Sequence, residues 1–238
     1  MCYPRVVLFL SQVRYTLQQF GKETLQNVAT HYGINPRIAQ RFAHVPGENV
    51  RDFLFLLISL YGLSRSEAVG ILHRRPSCIT CTDYVTMDRM HALMDRAFTY
   101  SEIGKLIKRF PAILGLEHET IASNYDYFET VSRLKPREVK QSVLTWPAIL
   151  GYSHDRIREQ LQIFDRIGVE YVDHAARFTL SLPVIRGRIV VLQARGQNLR
   201  RDQTDLFVST EIFRQNTRCS KAAVIQRDPG QMAILQML

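Results

Sequence analysis

Apolar residues recur along this chain at helical rather than strand spacing, and they do so in register with proline. Pro46, Pro76, Pro111, Pro147 and Pro183 follow one another at spacings of 30, 35, 36 and 36 residues. Eight residues before them stand Ile38, Ala68, Ile103, Val139 and Ala175, and four before them Phe42, Leu72, Ile107, Val143 and Thr179. Two small or apolar positions four apart share a helix face. Each proline is therefore expected to end an amphipathic helix, and "RFPAILGLEHETI" (109–121) and "TWPAILGYSHDRI" (145–157) are two copies of one structural solution.

The start of each helix is marked as well. Asn35-Pro36, Ser64 with Glu67, Thr99 with Glu102, and Lys135-Pro136 with Glu138 are N-cap, capping-box and first-turn proline signals. Proline then stops the helix, because it has no amide hydrogen and disfavours a helical residue before it. Cys78-Ile79, Ile113-Leu114, Ile149-Leu150 and Ile185 come two or three residues later and are expected to point inward from a tight turn. A second amphipathic helix should follow, placing Leu93, Phe128 and Phe164 seventeen residues after their prolines. It closes near Gly168 in the fourth copy and near Gly196 in the fifth, whose connecting loop is shorter.

The unit is thus helix, proline turn, helix, repeated five times over residues 35–200. Residues 1–34 read as an N-terminal helical cap or degenerate repeat. Residues 201–238 read as a degenerate C-terminal repeat and tail, with Val208 and Ile212 on the inner face of a sixth first helix. Degenerate ends suit an array whose terminal units face water on one side.

Composition adds a direction. Thirty-one Lys and Arg against 22 Asp and Glu give a formal charge of +9 and favour polyanionic partners. The longest apolar run, "FLFLLISLYGL" (53–63), is about half what a membrane-spanning helix needs, so a buried helix and no membrane contact are expected. The N-terminus lacks a signal-peptide pattern. Arg5, Arg14 and Lys22 precede the first acid, Glu23, which suits a transit sequence weakly and a first helix equally well. Four cysteines, Cys2, Cys78, Cys81 and Cys219, are too few and scattered for a disulfide framework.

Proline-stopped helical pairs with Ile or Leu just past the proline resemble the mitochondrial transcription termination factor (mTERF) family. The resemblance rests on "LIKRFPAIL" (106–114), "SVLTWPAIL" (142–150) and "TLSLPVI" (179–185), with weaker forms at "RFAHVP" (41–46) and "ILHRRPSCI" (71–79). It implies an all-α, right-handed superhelical solenoid of helix–proline turn–helix repeats. It further implies a basic concave face that holds double-stranded DNA or RNA, and a role in organellar transcription or ribosome biogenesis, in mitochondrion or chloroplast. Family proteins are mostly longer with a clear transit sequence, which is not evident here; the alternative compartment is the cytoplasm. Pro111, Pro147 and Pro183 carry over as turn formers, and no nucleic-acid contact carries over by motif.

Basic residues occupy the first-helix positions five to seven before the proline: Arg41, Lys105, Lys140 and Arg177. Arg74, Arg75, Lys108, Arg109, Arg186 and Arg188 flank the turns, and from His174 to Arg201 there are six arginines and no acid. A row with the repeat's spacing could track phosphates; taken singly, each residue also reads as a solvated helix face. A helical scaffold binding a protein through the same face is the alternative function, and a monomer is expected.

His73, Cys78, Cys81 and His91 have the residue types of a zinc site. Cys78, however, stands in the column of Ile113, Ile149 and Ile185, where a small buried hydrophobe belongs. His118-Glu119 and His154-Asp155 could pass for catalytic pairs, but both lie seven after a proline, where a second helix opens and favours an acid. With no glycine-rich phosphate loop, nucleophile elbow or HExxH motif, neither an enzyme nor a cofactor is expected.

Overall fold

The computed structural model describes residues 24–167 and 182–194. Among them are ten α-helices and no strand: α1 (Leu25–Tyr32), α2 (Pro36–Arg41), α3 (Gly47–Ser59), α4 (Arg65–Arg74), α5 (Asp83–Met94), α6 (Tyr100–Arg109), α7 (His118–Ser132), α8 (Pro136–Thr145), α9 (His154–Ile167) and α10 (Leu182–Ala194). The protein is all-α, and among these residues no helix is long and apolar enough to cross a membrane.

The chain forms two compact units, residues 1–118 and 119–238. In the first, capping boxes at Ser64/Glu67 and Thr99/Glu102 open α4 and α6, each carboxylate accepting the cap residue's own amide, at 2.9 and 2.7 Å. Both helices end two residues before a proline, and after a single cap residue the chain tightens into 3₁₀ turns over Pro76–Thr80 and Pro111–Gly115. Proline at the first position of such a turn loses no hydrogen bond, because that amide would have no partner. Cys78, Ile79, Ile113 and Leu114 are buried as the repeat requires, and so are Ala68, Leu72, Ile103 and Ile107.

The second unit repeats the plan. Glu138 accepts the Lys135 amide at 2.9 Å at the start of α8, although the lysine cap offers no acceptor in return. The second PAILG forms a 3₁₀ turn over Pro147–Gly151 and buries Ile149 and Leu150. Trp146, before the proline, is 2% exposed and meets Phe128 and Tyr152 edge to face, at ring-centre distances of 6.5 and 5.5 Å. The aromatic residue before PAILG here seals the turn against α7.

Leu93, Phe128 and Phe164 are buried on α5, α7 and α9 as their spacing predicts. The first and fifth copies differ from expectation. α2 stops at Arg41, and Pro46 caps the start of α3 instead of entering a 3₁₀ turn; the Val45 amide closes the intervening loop on the Phe42 carbonyl at 2.8 Å. Pro183 lies in the first turn of α10, so there the proline opens the second helix directly, and Ile185 is buried from within it. This is how the shorter connection of the fifth copy is made. Ala175, Thr179, Gly168, Gly196, Val208 and Ile212 fall outside the described residues.

A further device repeats at the ends of second helices. Gly33, Gly62, Ala97 and Arg133 all have positive φ, between 57° and 76°. Each is followed by one apolar residue, Ile34, Leu63, Phe98 or Leu134, and then by the cap position of the next first helix. A left-handed residue turns the chain, and Ile34, Leu63 and Phe98 are then buried, Leu134 half-buried, before the next helix begins.

Candidate nucleic-acid interface

In the first unit, α4 and α6 bury one face, Ala68, Val69, Ile71 and Leu72 on one and Ile103, Leu106 and Ile107 on the other. Helical geometry then leaves the opposite edge to water, and Arg74, Arg75, Lys105, Lys108 and Arg109 are all exposed there or just beyond the helix end. Bases in a last helical turn are favoured by the exposed carbonyls. Arg74 donates to the Gly70 carbonyl at 3.3 Å and to the Lys108 carbonyl at 3.2 Å, so it ties α4 to α6. Lys108 pairs back with Glu67. The Arg75 guanidinium lies against Gly115, where a Cβ would stand 3.3 Å from its Nη2. Arg41, at the end of α2, is exposed with its guanidinium 5.5 Å over the Phe42 ring.

In the second unit Lys140 is half-buried on α8. Arg186 is half-buried and pairs with Glu159. Arg188 departs from the expectation: it is 0% exposed, so it faces the core instead of a ligand. Ile185, Arg188, Ile189 and Leu192 stand at i, i+3, i+4 and i+7 on the buried stripe of α10, and burial pulls the guanidinium pKa below its ordinary value. Arg177 lies outside the described residues.

Of the residues with zinc-like chemistry, the two histidines turn away from the two cysteines to partners of their own. His73 accepts the Asn35 amide at 3.1 Å, Cys78 and Cys81 point at the second proline turn, and His91 meets Asp95 at 3.3 Å. Among the described residues no group of three or more His, Cys, Asp or Glu is gathered for a metal. His118 and His154 open α7 and α9 as expected. His118 reaches the Asp88 carbonyl at 3.0 Å and stacks on His91; His154 stacks on Tyr127 at 4.0 Å, with Ser123 Oγ 3.3 Å from its Nε2. Both imidazoles are engaged with the preceding second helix.

A polar column escaped the sequence reading. Thirteen residues after three successive prolines stand Arg89, Asn124 and Gln160. Arg89 donates to the Leu114 carbonyl and Asn124 to the Leu150 carbonyl, each at 2.7 Å. These bonds satisfy the carbonyl of the leucine in PAILG, which a 3₁₀ turn leaves open. The signal was present as a donor recurring on an otherwise apolar face.

No curated protein matches the chain. The mTERF family model matches residues 42–139, a stretch running from the end of α2 into α8 and holding two of the three 3₁₀ proline turns. Members of that family are helical-repeat proteins that in general bind nucleic acid and are not enzymes. By its matched residues and by its proline-turn repeats, the chain is similar to the mTERF family over residues 42–139.

Proposed function

We propose that the protein binds double-stranded nucleic acid, DNA or structured RNA, through phosphate contacts from its first helices, and acts in organellar transcription or ribosome biogenesis. The observation that carries this reading is the exposed basic edge of α4 and α6, where Arg74, Arg75, Lys105, Lys108 and Arg109 lie within one family-matched segment. Arg41, Lys140 and Arg177 extend the same sequence column, and Arg186 adds a half-buried guanidinium in α10. Arg74 and Lys108 would contact phosphate only with the donors left over from their bonds within the protein, so Lys105 is the leading contact.

The test is binding of mixed-sequence duplex DNA and duplex RNA across a salt series. Log affinity should fall linearly with log salt, and each lost contact should flatten the slope by roughly one. No binding of either duplex at physiological salt would overturn the reading in favour of a protein-binding scaffold.

A further inference from the structure

We propose that Cys78 and Cys81 form a hydroperoxide-reactive dithiol, in which Cys81 is the attacking sulfur and Cys78 the resolving one, closing a disulfide within the first proline turn. The pair is spaced Cys78-Ile79-Thr80-Cys81 across the 3₁₀ turn, and the Cys81 amide donates to the Cys78 carbonyl at 3.0 Å. Residues three apart in such a turn eclipse one another. A hydrogen-bonded turn holds its first and fourth Cα atoms within about 7 Å, which overlaps the span a disulfide bridges.

Both sulfurs also point the same way. Cys78 Sγ lies 4.0 Å from the Pro111 carbonyl and Cys81 Sγ 3.7 Å from the Leu114 carbonyl, two oxygens that are themselves three residues apart on the next turn. The same columns hold Ile113 with Leu116 and Ile149 with Tyr152 in the following copies, so packing alone does not call for sulfur.

The surroundings divide the roles. Cys81 is half-buried and reaches solvent, whereas Cys78 is 2% exposed. Arg89 Nη1 stands 4.0 Å from Cys81 Sγ, and the Arg75 guanidinium adds a second, smaller positive influence. The hydrogen bond from Cys78, with help from both arginines and against the cost of burial, holds the Cys81 thiol down to about 7. Its partner is pushed up, first by that same bond and then by burial. A thiolate beside two guanidiniums and a protonated thiol behind it are the nucleophile and the resolving group of one reaction.

In that reaction the Cys81 thiolate attacks one oxygen of the hydroperoxide. An S–O bond forms as the O–O bond breaks, leaving a sulfenic acid and a hydroxide or alkoxide that takes up a proton from water. The Cys78 sulfur then attacks the sulfenic sulfur; the S–S bond forms, the S–O bond breaks, and the hydroxyl leaves as water with the Cys78 proton. Two sulfurs are oxidised and one peroxide is reduced.

The experiment uses the full chain. Hydrogen peroxide is added, remaining thiols are alkylated, and the tryptic peptide Arg75–Arg89, which holds both cysteines and neither Cys2 nor Cys219, is weighed. The proposal expects this peptide two hydrogens lighter than its dithiol form, restored by dithiothreitol and never linked in Cys81→Ser. In Cys78→Ser a dimedone adduct should accumulate on Cys81. Both cysteines recovered alkylated after peroxide, or Cys81 oxidised no faster than Cys2 and Cys219, would overturn it.

Discussion

The backbone carbonyl oxygen of Tyr61, just past α3, occupies the place that a Cβ on Gly104 of α6 would take. Leu63 Cδ1 crowds the same point at 3.3 Å. Gly104 is buried in mid-helix, where alanine would otherwise be preferred by about 0.5–1 kcal/mol. The obstacle is main chain and cannot rotate away, so Gly104→Ala should lose about 1–3 kcal/mol from overpacking. Gly70, one position further along the equivalent helix α4, has nothing within 4 Å of its virtual Cβ. Gly70→Ala should therefore raise the urea midpoint while Gly104→Ala lowers it; equal shifts would refute the close approach.

The left-handed residues closing second helices make a second prediction. Glycine fills that place at Gly33 and Gly62, but Ala97 adopts φ 60° with a Cβ. Left-handed backbone costs a non-glycine residue roughly 1–2 kcal/mol, partly offset by glycine's greater unfolded-state entropy. Ala97→Gly should stabilise the protein by up to about 1 kcal/mol, and Gly62→Ala should destabilise it by a similar amount. Thermal melts of both variants give the signs directly.

These positions mark where the sequence could be read and where it could not. First helices were legible because three signals coincide on them: a cap such as Ser64 or Thr99, two apolar positions four apart, and a proline stop. Ala97 and Arg133 were not, since alanine and arginine carry no turn signal and only the structure shows their positive φ. Arg188 is a charge on an i, i+3, i+4, i+7 stripe, and there the apolar pattern, not the charge, sets its burial. Pro46 and Pro183 show that the aligned proline keeps its column while its local role changes: one caps α3, the other lies in the first turn of α10.

Glu67 joins the capping box of α4 to Lys108 on α6. The hydrogen bond from Lys108, then those from Ser64, hold its carboxyl at about 2, well below the ordinary 4.5 of a glutamate. A depressed carboxyl contributes stability that is fully present above its unfolded value and is lost as pH falls through the folded one. Glu67→Gln keeps the capping geometry and removes only the charge. Its melting temperature should fall below the parent's at neutral pH, and the gap should close between pH 4.5 and about 2. High salt should narrow it as well, because the pair is exposed. A gap that is independent of pH would assign the loss to geometry instead of charge.

Lys105 and Arg188 separate the two things a basic residue can do in this chain. Lys105 is exposed beside the buried Ile103 and Ile107 of α6, whereas Arg188 is 0% exposed among Ile185, Ile189 and Leu192 of α10. Neutralising an exposed phosphate contact weakens binding of every sequence about equally and leaves the fold alone. Removing a buried cation acts on packing and desolvation, and a hydrophobic residue of similar length can be neutral or stabilising there. Lys105→Ala should thus flatten the log–log salt dependence of duplex binding by roughly one with an unchanged melting temperature. Arg188→Met should move the melting temperature and leave the salt slope where it was. Arg158, engaged with Tyr127 and Asp155 on α9, serves as the exposed control whose loss should alter neither by much. If Lys105→Ala and Arg158→Ala weakened binding alike, attraction by net charge would account for the affinity, and the first-helix edge would lose its claim to the contact.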